Sequence, residues 1–98
     1  MADNDSNALK AAADAVTIID MRYRAASIND KIIMKPQRDA AYDAYSKARL
    51  KLLEDGVIAT DEDVAELEAI RAEIAQAAET QALMIGAARL IAALAKFI

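Results

Sequence analysis

Residues 60–98 read TDEDVAELEAIRAEIAQAAETQALMIGAARLIAALAKFI, and the reading of this stretch decides the fold. Thr60 stands before Asp61, Glu62 and Asp63. A hydroxyl that accepts from free first-turn N–H groups, followed by acids at the positive end of the dipole, marks a helix start. No proline follows, and the only glycine is Gly86. The expectation is one helix from about 61 to 97, roughly 55 Å long at about 1.5 Å per residue. That exceeds a compact three-helix domain of this size. Either it breaks near Gly86, or its end projects and needs a partner.

A heptad register runs along this helix through Leu67, Ile70, Ile74, Ala77, Gln81, Met84, Ala88, Ile91, Ala95 and Ile98. Every position but Gln81 is apolar, and a 3.5-residue period is the mark of helix-on-helix packing. Gln81 then sets register between partners. The stripe serves either as the core of one small bundle or as a seam between copies, and both can hold on different parts of the helix. Ala77, Ala88 and Ala95 alternate with larger residues, which lets backbones approach while the larger side chains interlock.

From Ala82 to Ile98 only Arg89 and Lys96 are charged, and Leu83, Leu90, Leu94 and Phe97 add a second apolar face. A helix that is nearly apolar all round is buried in protein or in lipid. Seventeen residues is short for a bilayer span, and Arg89 would lie near its middle. A helix lying in a membrane surface usually carries a broader basic face than two residues supply. Burial in a protein assembly is therefore the expectation for 82–98, with a membrane surface as the alternative.

Upstream of Thr60 two more helices are expected. Asp5 or Ser6 can cap the first, at about 6–34, whose Leu9, Ala12, Val16, Ile19, Tyr23 and Ala26 make one apolar stripe. Pro36 stops that helix and opens the second, at about 36–55, with an earlier break near Ser27-Ile28-Asn29-Asp30 as the alternative, because three of those four residues compete for their own backbone. Ala41, Tyr45, Ala48 and Leu52 face inward there, and Gly56 suits the left-handed turn beyond its end. Val57 and Ile58 are expected to tuck against the helix ends. The fold class is thus all-α: one domain, 1–98, with three helices as an antiparallel bundle or as a hairpin with a long C-terminal helix.

Composition supports the class. Of 98 residues, 25 are alanine, with 2 Gly, 1 Pro and no His, Cys or Trp. A sheet-rich fold needs more turn residues than this. So many alanines make a thin core, because alanine buries far less than leucine, and burial against another copy would make up the shortfall. Charge is segregated: 22–51 carries eight bases and three acids, and 52–79 nine acids and one base. The two segments are expected to lie against each other in an antiparallel hairpin.

The net charge of −4 excludes a general binder of nucleic-acid phosphates. Without His or Cys there is no imidazole triad, no thiol nucleophile and no usual zinc site, and no glycine-rich phosphate loop is present. Glu62, Glu66 and Glu73 share a helix side but lack the Glu-x-x-His of di-iron bundles. No catalytic residue, metal or cofactor is therefore expected. The acidic N-terminus and cysteine-free composition suggest the cytoplasm.

The run Lys35-Pro36-Gln37-Arg38-Asp39, opening the second helix of a short all-helical chain, resembles the all-helical chorismate mutases. The resemblance implies a dicarboxylate held by Arg24, Lys35, Arg38 and Gln81. The chain departs from that pattern. Only Lys10 lies where the family has a first-helix arginine, and Tyr42 and Asp43 fall where it has an Arg-Glu pair. No catalytic role is carried over. The functional expectation is a non-enzymatic, self-associating interaction module. Its expected interface is Leu67, Ile70, Ile74, Gln81, Met84, Ala88, Ile91, Ala95 and Ile98, with a further protein partner or a membrane surface as other occupants.

Overall fold

The computed structural model describes residues 3–98; Met1 and Ala2, the start of the expected domain, lie outside them. Four helices are found and no strand among the described residues: α1 Asp3–Ala25, α2 Ile28–Glu54, α3 Asp61–Gln76 and α4 Thr80–Ala95. The all-helical class stands, but the expected count of three is wrong, and so are several boundaries.

The first error lies at Pro36. α1 ends at Ala25, at the earlier alternative break and not near residue 34, because Ser27 caps a new helix by accepting from the Asp30 N–H at 3.2 Å. α2 then runs straight through Pro36. The proline leaves the Ile32 carbonyl without its helical partner. Pro36 and Ile32 are both exposed, so water can take that role. The second error lies in the long third helix, which breaks at Ala77–Glu79 and not at Gly86. Ala77 leaves helical geometry at φ −64, ψ 119, and Glu79 is extended at φ −121, ψ 155. Two antiparallel helices of 16 residues fit a body 41 Å long, where a single 55 Å rod does not.

Gly86 makes that doubling back possible. A Cβ built there would lie 2.7 Å from Ile74 Cγ1, so the α4 backbone at Gly86 packs directly on the Ile74 side chain of α3. Thr80 helps fix the start of α4 by donating its hydroxyl to Asp30 Oδ2 at 3.2 Å.

The α3 start is as expected. Thr60 Oγ1 accepts from the Asp63 N–H, and Asp63 Oδ2 accepts from the Thr60 N–H, which forms a capping box. Gly56 adopts the left-handed conformation, φ 74. Val57 packs on the core, whereas Ile58 is exposed, contrary to expectation. Asp5 does not cap α1 but lies within it. Its buried carboxylate accepts the Ala59 N–H at 2.8 Å and ties the α2–α3 connection to the first turns of α1.

The helices alternate in direction, and the two hairpins α1–α2 and α3–α4 stack so that α1 lies on α3 and α2 on α4. α2 and α3 occupy opposite corners and do not touch. The expected pairing of the basic middle with the acidic stretch is therefore absent. α3 instead ties its acids to α4, through Glu66–Lys96 and Glu73–Arg89. Four of the six α2 bases pair within α2 or at its own end (Lys35–Asp39, Lys47–Asp43, Lys51–Asp55), or on α1 (Arg38–Asp20). Half of the buried apolar residues are alanines, and Ile19, Met34, Leu67, Ile74, Leu83, Leu90 and Leu94 fill the space between them.

Candidate interaction face

The break at residues 77–79 divides the expected seam in two. On α3, Leu67, Ile70 and Ile74 are buried in the core of the single chain and present no surface. On α4 the core is served by the second apolar face, with Leu83, Leu90, Leu94 and the helical-end Phe97 buried. At about 100° per residue, the mean direction of those positions lies about a third of a turn from that of the heptad register. Of the register residues, Gln81, Ala88 and Ala95 lie exposed on the outer side of α4, Met84 and Ile91 are half-buried and pack on the core, and Ile98 is exposed beyond the helix end.

Two edges bound this face. On one, Arg89 and Lys96 lean toward α3, Arg89 bonding Glu73 and Lys96 bonding Glu66 at 2.9 Å. On the other lies α2, whose start is held beside the start of α4 by Thr80–Asp30. Between them α4 carries no charge from Thr80 to Ala95 apart from Arg89. Ile85, 56% exposed, continues the face outward. Ile33, 61% exposed, lies on α2 one turn beyond Asp30, which bonds Thr80 at the start of α4. The heptad pattern did not include these two isoleucines; amphipathic reading misses them because both helices already bury another face.

A second cluster joins α1 to α2. Arg38 bonds Asp20 at 2.7 Å and 3.0 Å and Asp39 at 3.0 Å, and its guanidinium lies 4.9 Å from the Tyr23 ring centre. Arg24 bonds Asp20, and Lys35 bonds Asp39. Bonds from Arg38 and then Arg24 hold the Asp20 carboxyl below the usual range, and Lys35 and then Arg38 do the same for Asp39. The shallow groove beside Asp20 is lined by Arg24, Arg38, Val16, Thr17 and Tyr42. Of the residues the chorismate mutase resemblance would place at a dicarboxylate, Lys35 and Gln81 are not in that lining, and Arg24, Lys35 and Arg38 are each paired to a carboxylate of the chain itself.

Among the described residues no three acidic side chains gather as a metal site, and Glu66 and Glu73 are engaged by α4. Among the described residues no helix is long and apolar enough to cross a membrane. Compared with models of known protein families, with curated proteins and with solved structures, the chain gives no match.

Proposed function

We propose that this is a cytoplasmic, non-enzymatic assembly module that associates with copies of itself through the outer face of α4. One observation carries the reading: α4 is apolar on two faces, and the bundle covers only one of them. On its outer side Ile85 stands 56% exposed among the exposed Ala88 and Ala92. Uncharged continuous surface of this kind on a small domain marks an interaction site. The alanine-rich core adds to the reading, since a core built half from alanine gains from burial against a second body.

The test is solution mass. Wild-type chain is expected to exceed the monomer mass in light scattering, and Ile91→Asp to return it to monomer with reduced helicity. An unaltered mass in the variant with intact helicity would refute the reading. A monomeric wild type that co-sediments with lipid vesicles would favour the membrane surface as the occupant.

A further inference from the structure

We infer that the α1–α2 end of the bundle docks on the surface of an anionic lipid bilayer, with Met21, Ile28 and Ile32 entering the interface and Arg22, Lys31 and Lys35 meeting the lipid phosphates. The inference is independent of self-association and uses no residue of α4.

Exposed apolar side chains and positive charge coincide at this end. Met21 lies one turn before the end of α1, and Ile28 opens α2. Met21, Ile28 and Ile32 are 63%, 77% and 69% exposed, and Ile28 is the most exposed large apolar side chain among the described residues. Ile28, Lys31, Ile32 and Lys35 occupy the i, i+3, i+4 and i+7 positions of one stripe of α2, while Met34 and Ala41 take the buried side. Lys31 is half-buried and the other three are exposed. Long basic side chains can lay their stems on apolar surface and hold their charge at the level of the phosphates.

The local charge is opposite to that of the whole chain. Residues 20–39 carry five bases and three acids, and the rest of the chain carries seven bases and thirteen acids. Arg22 and Lys31 make no ion pair among the described residues, and the pairs of Arg24 with Asp20 and Lys35 with Asp39 are exposed, so exchange for a lipid phosphate costs little. The α3–α4 turn, held to Asp30 through Thr80, brings the acid Glu79 to this end. The main acidic cluster lies elsewhere. α2 has 27 residues, so it is about 40 Å long and spans the 41 Å body. Glu54, Asp55, Asp61, Glu62 and Asp63 flank the α2–α3 connection at its far end. The Debye length is about 8 Å at physiological salt, so a negative surface at the α1–α2 end meets the local bases and is screened from the distant acids.

The size of the end selects a bilayer over a protein. The body is 21 × 17 Å across. That cross-section is less than half of the about 800 Å² that each partner gives to a stable protein contact. A bilayer needs no matching surface, only apolar side chains in the interface and bases at the phosphates. Nucleic acid fits less well, because unpaired bases stack on aromatic rings and the stripe has none.

Tryptophan fluorescence tests the docking and its orientation, because the chain has no tryptophan of its own. Ile28→Trp and Leu50→Trp, both at exposed positions of α2, are mixed with vesicles of phosphatidylcholine alone or of equal parts phosphatidylcholine and phosphatidylserine. Ile28→Trp is expected to shift to the blue with the anionic vesicles only, and high salt to reverse the shift. Leu50→Trp, about 33 Å further along α2, is expected to keep its emission. In co-sedimentation without the reporter, Ile32→Asp should lower the fraction bound to anionic vesicles several-fold with helicity unchanged, and Ala88→Glu on α4 should leave it as in the wild type. No blue shift at residue 28, or equal shifts at 28 and 50, would overturn the inference. Binding lost in Ala88→Glu and kept in Ile32→Asp would also overturn it, and would put the lipid on α4. A blue shift at residue 28 that grows with protein concentration in the absence of vesicles would assign this end to a second chain and overturn it too.

Discussion

Gly86 lies directly on Ile74: a methyl group added to the glycine would stand 2.7 Å from Ile74 Cγ1. That contact lets two alanine-rich helices close into a hairpin. It also turns the uncharged face of α4 outward, since Leu83, Ala87 and Leu90 on the neighbouring positions are drawn into the core.

Gly86→Ala should therefore destabilise the fold, although alanine favours helix by about 1 kcal/mol over glycine. Ile74 is fully buried and β-branched, and the clash is with a γ carbon that has little room to move. Overpacking of this kind costs about 1–3 kcal/mol, so a net loss of about 1 kcal/mol is expected. Urea unfolding checks it. Pairing the change with Ile74→Ala should recover part of the loss by removing the opposing side chain, and strict additivity of the two changes would refute the contact.

Asp5→Ala should cost about 1–3 kcal/mol, because it leaves the buried Ala59 N–H without its acceptor. The loss should appear in thermal melts and in faster amide exchange at residues 57–60. An unchanged exchange rate there would show that Asp5 does not hold the connection.

The Asp20–Arg38 pair gives a pH dependence. Arg38 and Arg24 lower the folded Asp20 pKa below its unfolded value. Its contribution is therefore complete above about pH 4 and is lost as pH falls through the lowered folded value. Asp20→Asn should reduce stability by about 1 kcal/mol at neutral pH. The gap between variant and wild type should close in strong acid. A gap that stays constant down to pH 2 would mean that the ion pairs contribute nothing.

Much of the helical architecture is legible in the residues, but where the chain reverses is not. The Thr60 cap, the Gly56 turn and the inward faces of Ala41, Ala48 and Leu52 follow from local chemistry, and the structure has them in place. The reversal at Ala77-Ala78-Glu79 has no glycine, proline or side-chain cap to announce it. It is imposed by what α3 and α4 bury together, so the heptad register read across it joined core residues (Leu67, Ile70, Ile74) to surface ones (Gln81, Ala88, Ala95). Pro36 misled in the opposite sense. A strong local stop signal was overridden because the Ser27 cap and the packing of Met34 and Ala41 hold α2 in one piece. Net charge by segment failed for a third reason: the acids and bases that pair lie on helices that touch, and α2 does not touch α3.

The central claim is that α4's outer face is closed by a second chain, and sedimentation equilibrium across a wide concentration range tests it most directly. The account predicts a mass that climbs above 10.5 kDa as the concentration rises. Ala88→Glu, placed on the exposed outer side of α4, should hold the chain at 10.5 kDa with its helicity intact. A wild-type chain that stays at 10.5 kDa at every concentration, or a variant that dimerises as well as the wild type, would contradict it.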